Sequence, residues 1–346
     1  MNARVSVIGH FGESVSLLNG QTLKTRIITD ELQKQLGDDQ VRKIDTHGGK
    51  KTLLKAPFQA FGALKSTKNV LIFPAQNGLR VYAPLLSFLN GFFKKKLHYV
   101  VIGGWLPQFL DGKKHLVESL KRFDGIYVET ETMKSALEHR GFENVFVLPN
   151  CKKLTTLSES ELVYPASPPY KLCTFSRVMR EKGIEDAVDA VKAVNSELGY
   201  TAFELNIFGQ IDKNQTEWFE SLQNGFPNFI RYGGQIQFDK SVEVLKDHFA
   251  LLFPTYYEGE GFAGTLIDAY SAGVPIIATD WKYNSEFVNE TVGCLYPTRS
   301  IDALVDILKG IATSPQAWLS KKPMCLKTAK QYEPAEAIAE LLRNLE

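Results

Sequence analysis

Two stretches of this chain hold the residue types that a phosphorylated ligand requires, and both lie in its C-terminal half. The first, Cys173 to Gly183, reads CTFSRVMREKG. A strand that ends in Ser-Arg, with Lys-Gly where a helix begins, can aim the Arg177 guanidinium and the Lys182 ammonium at a diphosphate. Such side chains are ordinarily solvated on a surface, and Arg180 stands nearby as a competitor. The second stretch, Phe253 to Asp280, reads FPTYYEGEGFAGTLIDAYSAGVPIIATD. Its strand runs into a turn carrying Glu258, Gly259, Glu260 and Gly261, and a helix begins near Gly264 or Thr265. Backbone N–H groups at a helix start are unpaired and electropositive, so this turn suits a phosphate or the polar face of a sugar. Taken alone, acidic residues there would merely complement the helix dipole.

In combination the two stretches resemble the donor-site signature of family 4 retaining glycosyltransferases. That signature is a glutamate, then Gly-Phe-Gly or similar, then a second acid eight positions on, then Ala-x-x-x-Gly-x-Pro and a strand. Here it is met by Glu260, Gly261, Phe262, Asp268, Ala269, Gly273 and Pro275. The resemblance implies that Glu260 contacts the donor sugar and that Asp268, standing where the family has glutamate, holds the ribose hydroxyls. Glu258 competes for the first role, and spacing favours Glu260. Ala263, Gly264 and Thr265 would complete the donor-facing turn. Arg177 and Lys182 match the family's arginine and lysine, five residues apart, that neutralise charge on the leaving nucleotide diphosphate. Gly209, after Phe208, and Tyr232 with Gly233 lie at strand ends where the family places the nucleobase.

The N-terminal half is less determined. Its first strand leads into Gly9, His10, Phe11 and Gly12, and further on Asn19, Gly20, Gln21 and Thr22 precede a helix. No Gly-Lys-Ser/Thr follows, so this is not a P-loop, and GHFGES lacks the third glycine of a dinucleotide fingerprint. In the family this loop lies near the donor phosphate and the acceptor, which makes Gly20, Gln21 and Thr22 reaction-centre candidates; His10 could polarise a sugar hydroxyl. Where many relatives carry a histidine on the sugar, this chain has Gly103, Gly104 and Trp105, and the indole either stacks on a sugar ring or packs in the core. The basic run Lys94 to Lys96 behind Phe92 and Phe93 could rest on an anionic membrane, or simply end a helix favourably.

The elements that must position these residues alternate, short β-branched runs with longer amphipathic ones, as parallel-sheet βα units do. One series of strands is expected at Val5 to Ile8, Val41 to Asp45, Val70 to Pro74, Tyr99 to Ile102, Gly125 to Val128 and Val145 to Leu148. The polar, proline-bearing stretch Leu154 to Pro169 reads as a linker. A second series follows at Lys171 to Phe175, Glu204 to Phe208, Ile230 to Tyr232, Ala250 to Phe253, Pro275 to Ala278 and Gly293 to Tyr296. The expectation is an α/β chain of two doubly wound, Rossmann-like domains facing across a cleft, the GT-B plan. The acceptor would dock on residues 1–160 and the nucleotide sugar on 161–328; residues 329–346 would form a helix packing back on the first domain.

Bulk properties agree with that plan. The 346 residues are 44% apolar and 23% charged, as in ordinary globular chains. A net charge of +1 gives no global attraction to nucleic acid. Cys151, Cys173, Cys294 and Cys325 are too dispersed for a zinc site or a disulfide framework, and no leader or membrane-spanning run is evident, so a cytoplasmic protein is expected. The resemblance implies transfer of a hexose or N-acetylhexosamine from a nucleotide-diphosphate sugar to a saccharide or lipid-linked acceptor, with retention and with neither metal nor bound cofactor. A sugar-nucleotide epimerase or phosphorylase, or a silent partner subunit on the same fold, are the rival expectations.

Overall fold

The computed structural model describes residues 3–12, 20–47 and 54–346; Asn19 lies outside them. The chain divides into two compact units. One joins Met1–Lys153 to Tyr332–Glu346, and the other is Leu154–Gln331.

The first unit holds a six-stranded parallel sheet: β1 (Val5–Gly9), β2 (Val41–Asp45), β3 (Asn69–Ile72), β4 (Lys96–Val100), β5 (Gly125–Val128) and β6 (Val145–Val147), in the order β2-β1-β3-β4-β5-β6. β1 and β3 are buried along their whole length, as strands covered on both faces must be. Helices Gly20–Leu36, Ala56–Ser66 and Gln76–Phe93 supply crossovers. Helix Glu131–Glu138 is capped by the Thr130 hydroxyl, which accepts from Met133 N, and Gly141 follows it at φ 77°. β4 begins three residues before the expected Tyr99. His98 reads as polar in the sequence, yet it is fully buried, with Nε2 3.3 Å from Asn69 Oδ1 and Nδ1 3.2 Å from Tyr127 Oη, so it does not end the strand. The chain's last residues pack into this unit's core through Ala337, Ile338, Leu341 and Leu345 beside Val5, Val7 and Ile28. They form two short helices, Pro334–Ala337 and Ala339–Asn344, where a single one was expected.

The second unit holds β7 (Tyr170–Phe175), β8 (Phe203–Phe208), β9 (Ile230–Gly234), β10 (Ala250–Phe253), β11 (Ile276–Thr279) and β12 (Gly293–Tyr296), all parallel, in the order β12-β11-β10-β7-β8-β9. Counted within the unit this is 3-2-1-4-5-6, the doubly wound order of dinucleotide-binding sheets. Successive right-handed crossovers therefore run in opposite directions from β7 and from β10, and a crevice opens between the carboxyl ends of these neighbouring strands. Helix Ile184–Leu198 follows β7 and helix Gly264–Ser271 follows β10. The expected α/β class, with two parallel sheets, is the observed one.

Candidate active site in the second unit

The crevice between β7 and β10 collects the residues singled out in the sequence. Beyond β7 the chain passes Ser176 and Arg177 and makes a 3-10 turn, Arg180–Lys182. Gly183 ends that turn at φ +68°, and a Cβ there would lie 2.1 Å from the carbonyl oxygen of Pro254. Only glycine allows the turn to press so closely on the exit of β10. The Tyr256 N–H donates to Glu181 O at 2.8 Å across the same seam.

This docking brings the Lys182 ammonium to 2.5 Å from Glu260 Oε2, with exposures of 12% and 8%. The Thr255 hydroxyl donates to the same Oε2 at 2.8 Å. Both contacts fall on one oxygen, so Oε1 is the atom left to accept from a ligand hydroxyl. The rings of Tyr257 and Phe253 flank the ammonium at 5.0 and 5.7 Å, a cation–π environment that holds a cation with little water. Glu258, the sequence competitor, lies elsewhere: it is 77% exposed and paired with Lys282 at 2.8 Å.

Immediately beyond Glu260, Gly261 and Phe262 are buried, and the Phe262 ring stacks on Phe287 with centroids 3.7 Å apart. Helix Gly264–Ser271 starts after Ala263, which offers no side-chain cap. The Thr265 hydroxyl in its first turn is buried without a hydrogen-bond partner. An uncapped helix start with an orphan hydroxyl is suited to an anion, which would satisfy both. Asp268, one turn on, is 1% exposed and accepts from the Ser241 hydroxyl at 2.7 Å.

The remaining predicted groups line the neighbouring strand ends. Gly209 has φ +138°, and a Cβ on it would sit 1.7 Å from Ser176 O, so the exits of β7 and β8 are in backbone contact there. Tyr232 donates its hydroxyl to Gly209 O at 2.8 Å, with Gly233 next to it at the end of β9. Burial raises the phenol's pKa. Arg177 does not share the Lys182–Glu260 contact. Its guanidinium is 56% exposed, lies 3.6 Å from Asp212, and lines a polar hollow of about 250 Å³ with Gln210 to Asn214.

Contacts within the first unit hold its candidates. The His10 Nε2 lies 3.0 Å from His47 Nδ1. Burial and the neighbouring His47 lower its pKa, with Asp45 opposing. Gly20 and Gln21 open helix Gly20–Leu36, Gln21 donates to Phe73 O at 3.3 Å, and Thr22 is buried. The Trp105 indole N–H donates to Ile102 O at 2.7 Å and its ring meets Phe109 edge-on, so it braces its own turn while staying partly exposed. Sequence reading missed Thr255, Ser241 and His47. The strand-end position of Thr255 was a usable signal; nothing in the sequence pairs Ser241 with Asp268. Among the described residues no three His, Cys, Asp or Glu side chains group as metal ligands.

The family match falls on the same unit. Residues 169–314 match the family model described as "Glycosyl transferases group 1". The UDP-N-acetylglucosamine–peptide N-acetylglucosaminyltransferase GtfA subunit of Streptococcus gordonii is 27% identical over 183 residues, which is 52% of this chain and 35% of that protein. The chain thus matches about a third of the length of that curated relative. Among solved structures, Anabaena Alr3699/HepE in complex with UDP superposes with a TM-score of 0.74 at 13% identity, over 99% of each chain. The lipopolysaccharide outer core galactosyltransferase WaaB, in its apo form, gives 0.70 at 16% identity, again over 99% of each. These likenesses carry the fold, GT-B-like, with two parallel α/β units. On this fold, residues 169–314 are similar to a group 1 glycosyl transferase domain.

Proposed function

We propose that the protein is a retaining glycosyltransferase that takes a hexose or N-acetylhexosamine from a nucleotide-diphosphate sugar and places it on a saccharide or lipid-linked saccharide. The observation that carries this reading is the meeting of Lys182 and Glu260 at the crevice between β7 and β10, beside the uncapped start of helix Gly264–Ser271. UDP is the favoured nucleotide, because the S. gordonii relative is named for a UDP sugar and the HepE structure holds UDP. The acceptor is not carried over from those proteins, since the family match lies wholly within the second unit.

In this reading the donor diphosphate takes up the Thr265 hydroxyl and the N–H groups of that helix start, with Lys182 and Arg177 as its cations. Glu260 keeps Lys182 in place through Oε2 and accepts a sugar hydroxyl on Oε1. Asp268, oriented by Ser241, faces the ribose, and Tyr232 with Gly209 and Gly233 borders the base. The bond from the anomeric carbon to the phosphate oxygen breaks, its electron pair leaving with the diphosphate. The acceptor oxygen bonds on the same face and its proton passes to the departing phosphate. Positive side chains and helix dipole, in place of a divalent ion, stabilise the charge that develops.

The test is thermal stabilisation by UDP, GDP, dTDP and ADP sugars in the presence of a chelator, followed by product analysis with saccharide acceptors. A selective shift by one donor, and an α-linked product from an α-linked donor, are expected, because a ligand specific for the native state raises its stability. Donor binding with no transfer or hydrolysis would favour a silent partner subunit, and a product without a second sugar an epimerase. Stabilisation by none of the donors would remove the proposal.

A further inference from the structure

The first unit carries an aromatic surface that the proposed chemistry does not use. Phe58 is 80% exposed, Leu54 79%, Phe92 78%, Phe88 68% and Phe61 49%. Phe58 and Phe61 lie on helix Ala56–Ser66 and Phe88 and Phe92 on helix Gln76–Phe93, which packs against it: Phe61 meets Phe93 edge-on at 5.4 Å, and Phe88 meets Phe92 at 6.1 Å. Helix Gln76–Phe93 already buries Leu79, Tyr82, Ala83 and Leu86 in its unit. Its outer face, which in a surface helix is ordinarily polar, is therefore apolar as well.

The chain segment that carries this surface is of one sign. Between Asp45 and Asp111 the sequence holds nine Lys and Arg residues and no Asp or Glu, in a chain whose net charge is only +1. Lys55, Lys65, Lys68 and Lys94, on or next to the same two helices, are exposed. Lys94 ends its helix in the left-handed region, and the Lys96 N–H donates to Lys68 O at 3.1 Å, which ties the starts of β3 and β4 together at that edge.

We infer that this face docks on an anionic lipid bilayer, with the phenylalanines in the interfacial layer and the lysines on acidic headgroups. A second copy of this chain fits less well, because a two-fold contact would set lysines against lysines. The inference does not depend on the donor chemistry and would place the protein beside lipid-linked molecules whatever reaction it performs.

The experiment is sedimentation of the full chain with vesicles of phosphatidylcholine alone or mixed with phosphatidylglycerol. Binding to the mixed vesicles is expected, weaker by about tenfold without the anionic lipid and similarly weaker after Lys65→Glu/Lys94→Glu. Phe58→Ser/Phe92→Ser should weaken it to a comparable degree with an unchanged melting temperature, since both rings are solvent-exposed. No binding to mixed vesicles at low salt would overturn the inference. So would binding indifferent to both pairs of substitutions, or a Phe pair that turns an oligomer into monomers without affecting lipid.

Discussion

The Lys182 ammonium and the Glu260 carboxylate stand 2.5 Å apart although 78 residues separate them. The strand order brings them together: each follows one of the two strands that flank the reversal of the second sheet. Gly183, with no side chain to hold Pro254 away, closes the remaining gap.

Separating that pair should affect both turnover and stability. Lys182→Ala and Glu260→Gln are each expected to lower kcat by about 10²- to 10³-fold, as for loss of a group aimed at developing charge. Each leaves a largely buried partner uncompensated, at a cost of roughly 3 kcal/mol, and Lys182→Met/Glu260→Gln should regain part of that. Turnover and chemical denaturation measure the two effects. Normal turnover in both single variants would refute the site.

Gly183→Ala should be more damaging than its size suggests. The new methyl would meet Pro254 O at 2.1 Å on a backbone at φ +68°. A loss of at least about 2 kcal/mol is expected, together with loss of donor-induced stabilisation as Lys182 is displaced. An unchanged melting temperature would show that the turn does not press on β10 as described.

Thr265→Val separates ligand binding from stability. The hydroxyl is buried and unpaired in the free protein, so an isosteric methyl should stabilise it by about 1 kcal/mol. The same change should raise KM for the donor, because the group that would meet the diphosphate is gone. A rise in stability with unaltered KM would separate this hydroxyl from the donor.

Acid should destabilise both units. His98 and His248 are buried, and desolvation pushes each down to about 4. The unfolded chain takes up these protons near pH 6.5, whereas the folded chain resists until about 4. Their contribution is therefore fully present above pH 6.5 and falls away as pH drops toward 4, by up to about 3 kcal/mol for each. Denaturation followed across that window should show this slope, and His98→Gln should reduce it by one proton. An unaltered slope in the variant would place the titration elsewhere.

The sequence by itself determined the local order of this protein. Apolar runs of strand length, broken by glycine and capped helices such as Glu131–Glu138, report short-range physics, and β1, β3 and β10 lie where those runs place them. The turn Glu258 to Gly261 and the start of the following helix were legible for the same reason. Tertiary structure alone decided which groups meet. That Glu260 meets Lys182, that Asp268 is held by Ser241, and that Arg177 turns to Asp212 depend on strand order. His10 against His47, and Lys24 buried against Glu129 at 2.6 Å, belong to the same class. Each is a contact between segments far apart in the chain, and its energy arises only when packing excludes water from both partners, which no local pattern of residues encodes.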